Sequence, residues 1–123
     1  MKRKSPRVLI VDDQVDFLLI LRSLLNGIGF KNIQHRKNAY IALNEYMRFD
    51  VIFIDLAMPG LSGLDLIKTM RQDSKKRKII VVTSDTDAST KQECLTNGAD
   101  DFILKPINSN KIVASLKKIN VLV

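Results

Sequence analysis

The chain has 123 residues, 46% of them hydrophobic and 27% charged, which suits one compact domain and excludes long disordered tracts. Its apolar runs are too short to span a bilayer, no secretory signal pattern follows Met1, and the one cysteine, Cys94, has no partner for an internal disulfide. A reducing cytoplasm is the expected compartment. The formal charge is +7, but aromatic residues make up 6% and Trp is absent, so a nucleic-acid surface built on stacking is not expected.

The first predicted element is β1 (7–12), around the aliphatic run Val8 to Val11. Helix α1 (14–27) follows, with Phe17, Leu21, Leu24, Leu25 and Ile28 on one face. Asp13 can cap it with Asp16 three residues on, and Gly27 and Gly29 can end it. The polar stretch NIQHRK gives β2 (32–36), suited to a sheet edge, and α2 (38–48) places Ala39, Ala42, Leu43, Tyr46 and Met47 together. Then come β3 (51–55), α3 (63–72), β4 (78–83), α4 (87–97, closed by Asn97-Gly98), β5 (101–105) and α5 (108–119, opened by Asn108 or Ser109). Runs such as VIFI and IIVV are the pattern of strands buried on both faces of a parallel sheet. Five strand–helix units in alternation predict an α/β fold with a doubly wound parallel sheet, in which ligands bind at the carboxyl ends of the strands.

At those ends the chain supplies Asp12 and Asp13 after β1, Asp55 after β3, Thr83 and Ser84 after β4, and Lys105 after β5. Converging carboxylates repel and raise one another's pKa unless a cation sits among them. With His35 the only histidine, zinc ligation is not favoured. An oxygen-seeking ion such as Mg²⁺, held by one or two carboxylates together with substrate phosphate, fits this residue set. Lys105 would then neutralise a further anionic oxygen and the Thr83 hydroxyl would donate to another. Asp55 would be the nucleophile that takes a phosphoryl group.

The segments VLIVDD, VIFIDLAMPG, VVTSD and DFILKP, in this order and at these separations, resemble the receiver domain of bacterial two-component response regulators, of the chemotaxis-regulator type. The resemblance spans nearly the whole chain, 1–123, and implies a flavodoxin-like five-stranded sheet of order 2-1-3-4-5 with five helices. It further implies that Asp55 is phosphorylated by a sensor histidine kinase or a phosphotransfer protein. Asp12, Asp13, Asp55 and the backbone carbonyl of Ala57 would hold Mg²⁺, while Thr83 and Lys105 contact the phosphoryl group. Phe102 matches the family's switch aromatic, which moves with Thr83. The bond before Pro106 is implied to be cis, and the α4–β5–α5 face, to which Phe102, Lys91, Lys111 and Lys118 contribute, to bind a downstream target or output domain. Ala57 is smaller than the residue often found there, and Asp85 adds negative charge near Asp55; both positions bear on how the phosphoryl group is lost.

Taken singly, Asp13 reads equally well as a helix cap, while Thr83 reads more readily as a turn residue, Lys105 as a solvated lysine and Phe102 as a strand aromatic. Their joint placement at strand ends is what favours function. The leading reading is a signalling switch that catalyses only its own phosphorylation and slow dephosphorylation. A phosphohydrolase would share Asp55 and Mg²⁺, but Leu56 and Ala57 offer no acid for a leaving group. A flavin binder is disfavoured because the carboxylates would repel a flavin phosphate. The chain stops soon after α5, so it reads either as a single-domain regulator or as a part excised from an output domain. The positive charge is concentrated in Lys2 to Arg7 and Lys75 to Lys78. Both clusters precede strands, predicting a basic pole opposite the acidic site, with solvation as its plainest role and an acidic partner or nucleic acid as the alternatives; no membrane contact is expected.

Overall fold

The computed structural model describes residues 5–58, 61–73 and 76–122. Strands β1 (Arg7–Val11), β2 (Asn32–Arg36), β3 (Val51–Ile54), β4 (Lys78–Thr83) and β5 (Asp101–Leu104) form one parallel sheet in the order β2-β1-β3-β4-β5. Helices α1 (Val15–Ile28), α2 (Ala39–Glu45), α3 (Gly63–Asp73), α4 (Ala88–Thr96) and α5 (Ser109–Lys118) connect and follow the strands. The expected flavodoxin-like topology is present, with the polar β2 at an edge.

Alternation along the central strands explains the two helical layers. Leu9, Val11, Ile52, Ile54, Ile79 and Val81 point to one side, where they pack with Ala42, Leu66, Ile67, Met70 and Cys94 of α2, α3 and α4. Val8, Ile10, Val51, Phe53, Ile80 and Val82 point to the other, against Leu18, Leu21, Leu25, Ile112 and Leu116 of α1 and α5. Period-two side-chain placement in a strand requires both faces to be covered when every residue is apolar. Burying each such Leu, Ile or Val contributes about 1.5–3 kcal/mol, so the sheet is held rigidly and its ends are well-defined platforms.

Helix ends depart from expectation in instructive places. Asp13 does not cap α1. Gln14 takes the cap position without a side-chain cap bond, because its amide is held by Asp12 Oδ1 at 2.9 Å. Gly27 lies within α1, and Gly29, at φ 121°, ends it. Predicted α2 is two pieces: after Glu45 the chain tightens into a 3₁₀ turn over Tyr46–Arg48, which keeps Tyr46 buried but leaves Met47 57% exposed. Asn38, Asp87 and Asn108 cap α2, α4 and α5 with their side chains. Strands β1, β3 and β5 each end one residue earlier than expected, just before Asp12, Asp55 and Lys105. Pro59 and Gly60 of the predicted loop after β3, and Lys75 of the second basic cluster, lie outside the described residues, as do Met1 to Lys4.

A polar clasp fixes the edge of the sheet away from β2. Arg71 on α3 donates to the carbonyls of Gly98 and Arg77, both at 3.0 Å, and to Asp100 Oδ2 at 2.8 Å. Asp100 Oδ2 also accepts from the Ile79 amide at 2.7 Å. Replacing Arg71 by Ala takes this donor from two carbonyls and the cation from the Asp100 carboxylate, so Arg71→Ala is expected to lower stability by about 2–3 kcal/mol. Urea unfolding followed by circular dichroism should show a lower midpoint with an unchanged slope; an unchanged midpoint would mean the clasp contributes nothing net.

Candidate functional site

Asp12, Asp55 and Lys105 sit one residue beyond their strands, yet their amides still complete the sheet's hydrogen bonding. Asp12 N donates to Arg36 O (3.1 Å), Asp55 N to Val11 O (3.0 Å) and Lys105 N to Thr83 O (2.8 Å). The backbone of each is therefore fixed by the sheet, while its side chain is free to project from the edge. This is the geometry expected of chemistry at the carboxyl ends of a doubly wound sheet.

The side chains converge. Asp12, Asp13 and Asp55 each present a carboxylate oxygen within 4.8 Å of the others. Asp12 and Asp55 are 1% and 5% exposed, a costly location for charge unless it is compensated. Lys105 compensates part of it, with Nζ 3.3 Å from Asp12 Oδ2 and 3.5 Å from Asp55 Oδ2. The same ammonium reaches Gln14 Oε1 at 3.3 Å and lies 3.9 Å from the centre of the Phe17 ring, a cation–π contact that helps hold it. The Lys105–Pro106 peptide bond is cis.

Asp55 Oδ1 accepts the Ala57 amide at 3.2 Å. Asp13 Oδ1, by contrast, is buried with no hydrogen-bond partner. One ammonium among three carboxylates leaves two negative charges uncompensated when all are ionised, and one oxygen of Asp13 is buried without a partner. That donor set, all oxygen and without a competing thiolate or imidazole, fits a hard divalent cation. Burial holds the Asp12 carboxyl above the usual carboxylate range; the Gln14 amide opposes this, the Asp55 charge adds to it and Lys105 again opposes it.

Thr83 ends β4, next to β3, and is 2% exposed. Its Oγ1 accepts the Asp85 amide at 3.2 Å, which leaves its own proton available to another acceptor. Phe102 stands apart from the carboxylates. It is half-buried in β5 and lines a shallow groove of about 400 Å³ with Lys91, Leu104, Lys111, Ala114 and Lys118. The Asp85 carboxylate is engaged by the start of α4, accepting from the Asp87 amide at 2.9 Å and the Thr90 hydroxyl at 3.0 Å.

Three contributors escaped sequence reading. Gln14 and Phe17 touch Lys105, but in sequence they are an ordinary helix start and a core-facing aromatic. Gly63 is the third: a Cβ there would lie 2.8 Å from Leu56 Cα and 2.9 Å from the Asp55 carbonyl oxygen, so α3 can approach the loop behind Asp55 only as glycine. The MPGLSG segment was readable as a turn, but the close approach depends on tertiary packing.

Fold and site together define a flavodoxin-like domain organised around carboxylates, an ammonium and a hydroxyl at one sheet edge. Residues 8–117 match the family model described as the response regulator receiver domain, and the chain belongs to that family, the receiver domains of two-component signalling. It is 30% identical over 116 residues to the chemotaxis protein CheY of Thermotoga maritima, covering 93% of this chain and 97% of that one. It is 34% identical over 119 residues to the DNA-binding response regulator MtrA of Mycobacterium tuberculosis, covering 95% of this chain and 51% of the relative. The chain thus spans about half the length of that relative. The solved chemotaxis response regulator CheY4 of Vibrio cholerae superposes with a TM-score of 0.83 at 28% identity, covering 94% of this chain and 99% of that one.

Two outcomes are expected at the site. The folded-state pKa of Asp12 lies above its unfolded value, so ionised Asp12 costs stability near neutral pH; the cost is relieved as pH falls through the folded pKa. Asn in its place keeps the Oδ1 acceptor for Gln14 and removes the charge. Asp12→Asn should therefore raise the metal-free melting temperature near neutral pH by roughly 4 °C, about 1 kcal/mol. Its advantage should shrink on acidification, which calorimetry across pH would detect. Gly63→Ala should cost about 1–3 kcal/mol by overpacking and shift the Asp55 amide resonance; a wild-type melting curve would show that the approach relaxes freely.

Proposed function

We propose that the chain is a phosphorylation-dependent switch of a two-component phosphorelay, with 1–123 acting as one receiver domain. Asp55 takes the phosphoryl group from a phosphohistidine on a sensor histidine kinase or phosphotransfer protein. The observation that carries this reading is the charge balance around Asp55: three clustered carboxylates, one ammonium shared by two of them, and a buried Asp13 oxygen without a partner. Such a site is built to receive more positive charge together with a phosphoryl group that Lys105 can neutralise.

In this reading an Asp55 carboxylate oxygen forms a bond to phosphorus as the N–P bond of phosphohistidine breaks, the imidazole nitrogen leaving with the bonding pair. Asp12, Asp13, Asp55 and the Ala57 carbonyl would hold Mg²⁺, which when bound supplies charge neutralisation for the phosphoryl oxygens. Lys105, released from its carboxylate contacts, pairs with one phosphoryl oxygen. Thr83 donates its hydroxyl proton to another, and no acid at Leu56 or Ala57 assists the departure of an external leaving group. The domain is then a phosphoacceptor rather than an enzyme acting on other substrates, and it operates in the cytoplasm, where such kinases present their phosphohistidine.

The output is a shift between two arrangements of the α4–β5–α5 face. Thr83 moving toward the phosphoryl group gives up the Asp85 amide, and the half-buried Phe102 follows inward. The groove beside Phe102, with its apolar floor and lysine rim, is suited to a downstream protein or to an output domain of a longer chain. The name of the MtrA relative specifies DNA binding, and by analogy such a role would belong to a separate output domain.

Intact-mass spectrometry after incubation with Mg²⁺ and a small acyl-phosphate donor tests the reading. One phosphoryl adduct is expected on the wild type, none on Asp55→Asn, and none after chelation. Lys105→Ala should slow its formation by about 100-fold. An adduct of equal yield on Asp55→Asn, or one indifferent to chelation, would sink the assignment.

A further inference from the structure

A broad concavity lies at the opposite end of the sheet from Asp55. A hollow of about 610 Å³ is lined by Arg7, Lys31, Arg48 and Phe49 among others. It adjoins a second hollow of about 220 Å³ that shares Arg7 and Phe49 and adds Lys76, Arg77 and Asp50. Asp50 is the one acid among the described lining residues of both, and it is already paired with Arg7, Nε to Oδ2 at 3.5 Å. In sequence, Lys2, Arg3 and Lys4 immediately precede this surface, and Lys75 precedes Lys76.

One guanidinium here differs from the others among the described residues. Arg7, Arg22, Arg36, Arg71 and Arg77 each hold a carboxylate, a carbonyl or both. Arg48 has no such partner among the described residues, and neither does Lys31. Both are exposed on the rim of the larger hollow. The other described guanidinium groups, those of Arg7 and Arg77 in these hollows included, tie segments together, whereas Arg48 leaves its charge unpaired beside a concave surface. A hollow lined by one sign of charge concentrates ligands of the other sign.

We infer that this amino-terminal edge is a docking surface for an acidic segment of another protein. The floor disfavours single-stranded nucleic acid, and a duplex comparator tests phosphate contact alone. Phe49 and Ile33 are 3% and 7% exposed, so no aromatic face is offered for base stacking. Met47, 57% exposed on the rim of the smaller hollow, is an adaptable apolar contact for a peptide side chain. The surface lies away from Asp55, so an acidic partner bound there leaves the carboxylate cluster open. The inference does not depend on the phosphoryl-acceptor reading.

The test uses the full chain and a short synthetic peptide rich in Glu and Leu, with a twin carrying Gln for every Glu and a short RNA duplex as comparators. Binding is followed by amide resonances. The acidic peptide is expected to shift Ser5, Lys31 to Gln34 and Phe49, to weaken about tenfold when salt is raised from low to physiological strength, and to leave Asp55 and Thr83 unmoved. The Lys31→Glu and Arg48→Glu double variant should lose at least about tenfold in affinity. The corresponding double Ala variant should lose less, which separates lost charge from lost fold, and the acyl-phosphate adduct should form equally on all three proteins. Equal binding of the Gln twin, indifference to charge reversal, or no shift at low salt would overturn the inference. Tighter binding of the RNA duplex at the same residues would also overturn it, in favour of a nucleic-acid surface.

Discussion

The site depends on one ammonium placed between two carboxylates that have almost no access to water. Asp12 and Asp55 are 1% and 5% exposed, and the Lys105 side chain is 13% exposed. Burying charge in such a place is costly unless a cation lies at hydrogen-bond range. Lys105 reaches the cluster from β5, two strands away from β3 in the sheet, so the pairing holds only while β4 and β5 stay in register with β3. The Lys105 amide bond to Thr83 O fixes that register at the edge itself. Sheet geometry and site electrostatics are therefore one constraint, and the all-apolar strands supply the rigidity that keeps it.

The same constraint explains where the fold gives up local stability. An aspartate at position 13 could have capped α1, a contribution of about 1 kcal/mol. Instead Asp12 secures the Gln14 amide, α1 starts without a side-chain cap, and Asp13 keeps a buried oxygen unsatisfied. Gly63 similarly carries the conformational cost of glycine at a helix start so that α3 can close behind Asp55. Local rules are broken at functional sites when the surrounding structure over-determines the arrangement, and both departures border the carboxylates.

Much of this was legible in the sequence because the signals were local. Uninterrupted aliphatic runs identified the central strands, the polar NIQHRK stretch identified the edge, and polar residues at four strand ends pointed to the edge where the carboxylates, the ammonium and the Thr83 hydroxyl lie. What was not legible is what depends on tertiary contact. Nothing in the sequence says that Phe17 lies under an ammonium from residue 105, or that a glycine is needed at position 63 rather than a turn residue. The break in α2 was hidden for the same reason. Tyr46 and Met47 both fit a helical stripe, but a 3₁₀ turn brings the chain round toward Phe49 and β3, burying one and exposing the other. That the Asp85 carboxylate accepts from the Asp87 amide and the Thr90 hydroxyl was likewise not legible.

Helix α4 is held to the rigid sheet by little buried surface of its own. Cys94 is its one buried residue, in contrast to α3, which buries Gly63, Leu66, Ile67 and Met70. Polar contacts therefore carry more of the burden of holding α4 at both ends. At its start, Asp85 accepts from Asp87 and Thr90, and the Asp85 amide leads back to Thr83 at the site. Beyond its end, the Arg71 clasp holds Gly98 and Asp100 against α3 and β4. Elements with few buried contacts lie at the low end of the local stability range, and exchanging one hydrogen bond at Thr83 acts on the first turn of such a helix while the clasp restrains the other end. On the switch reading, a sub-ångström event at a phosphoryl group need not deform the core: it has only to change which acceptor the Asp85 amide finds.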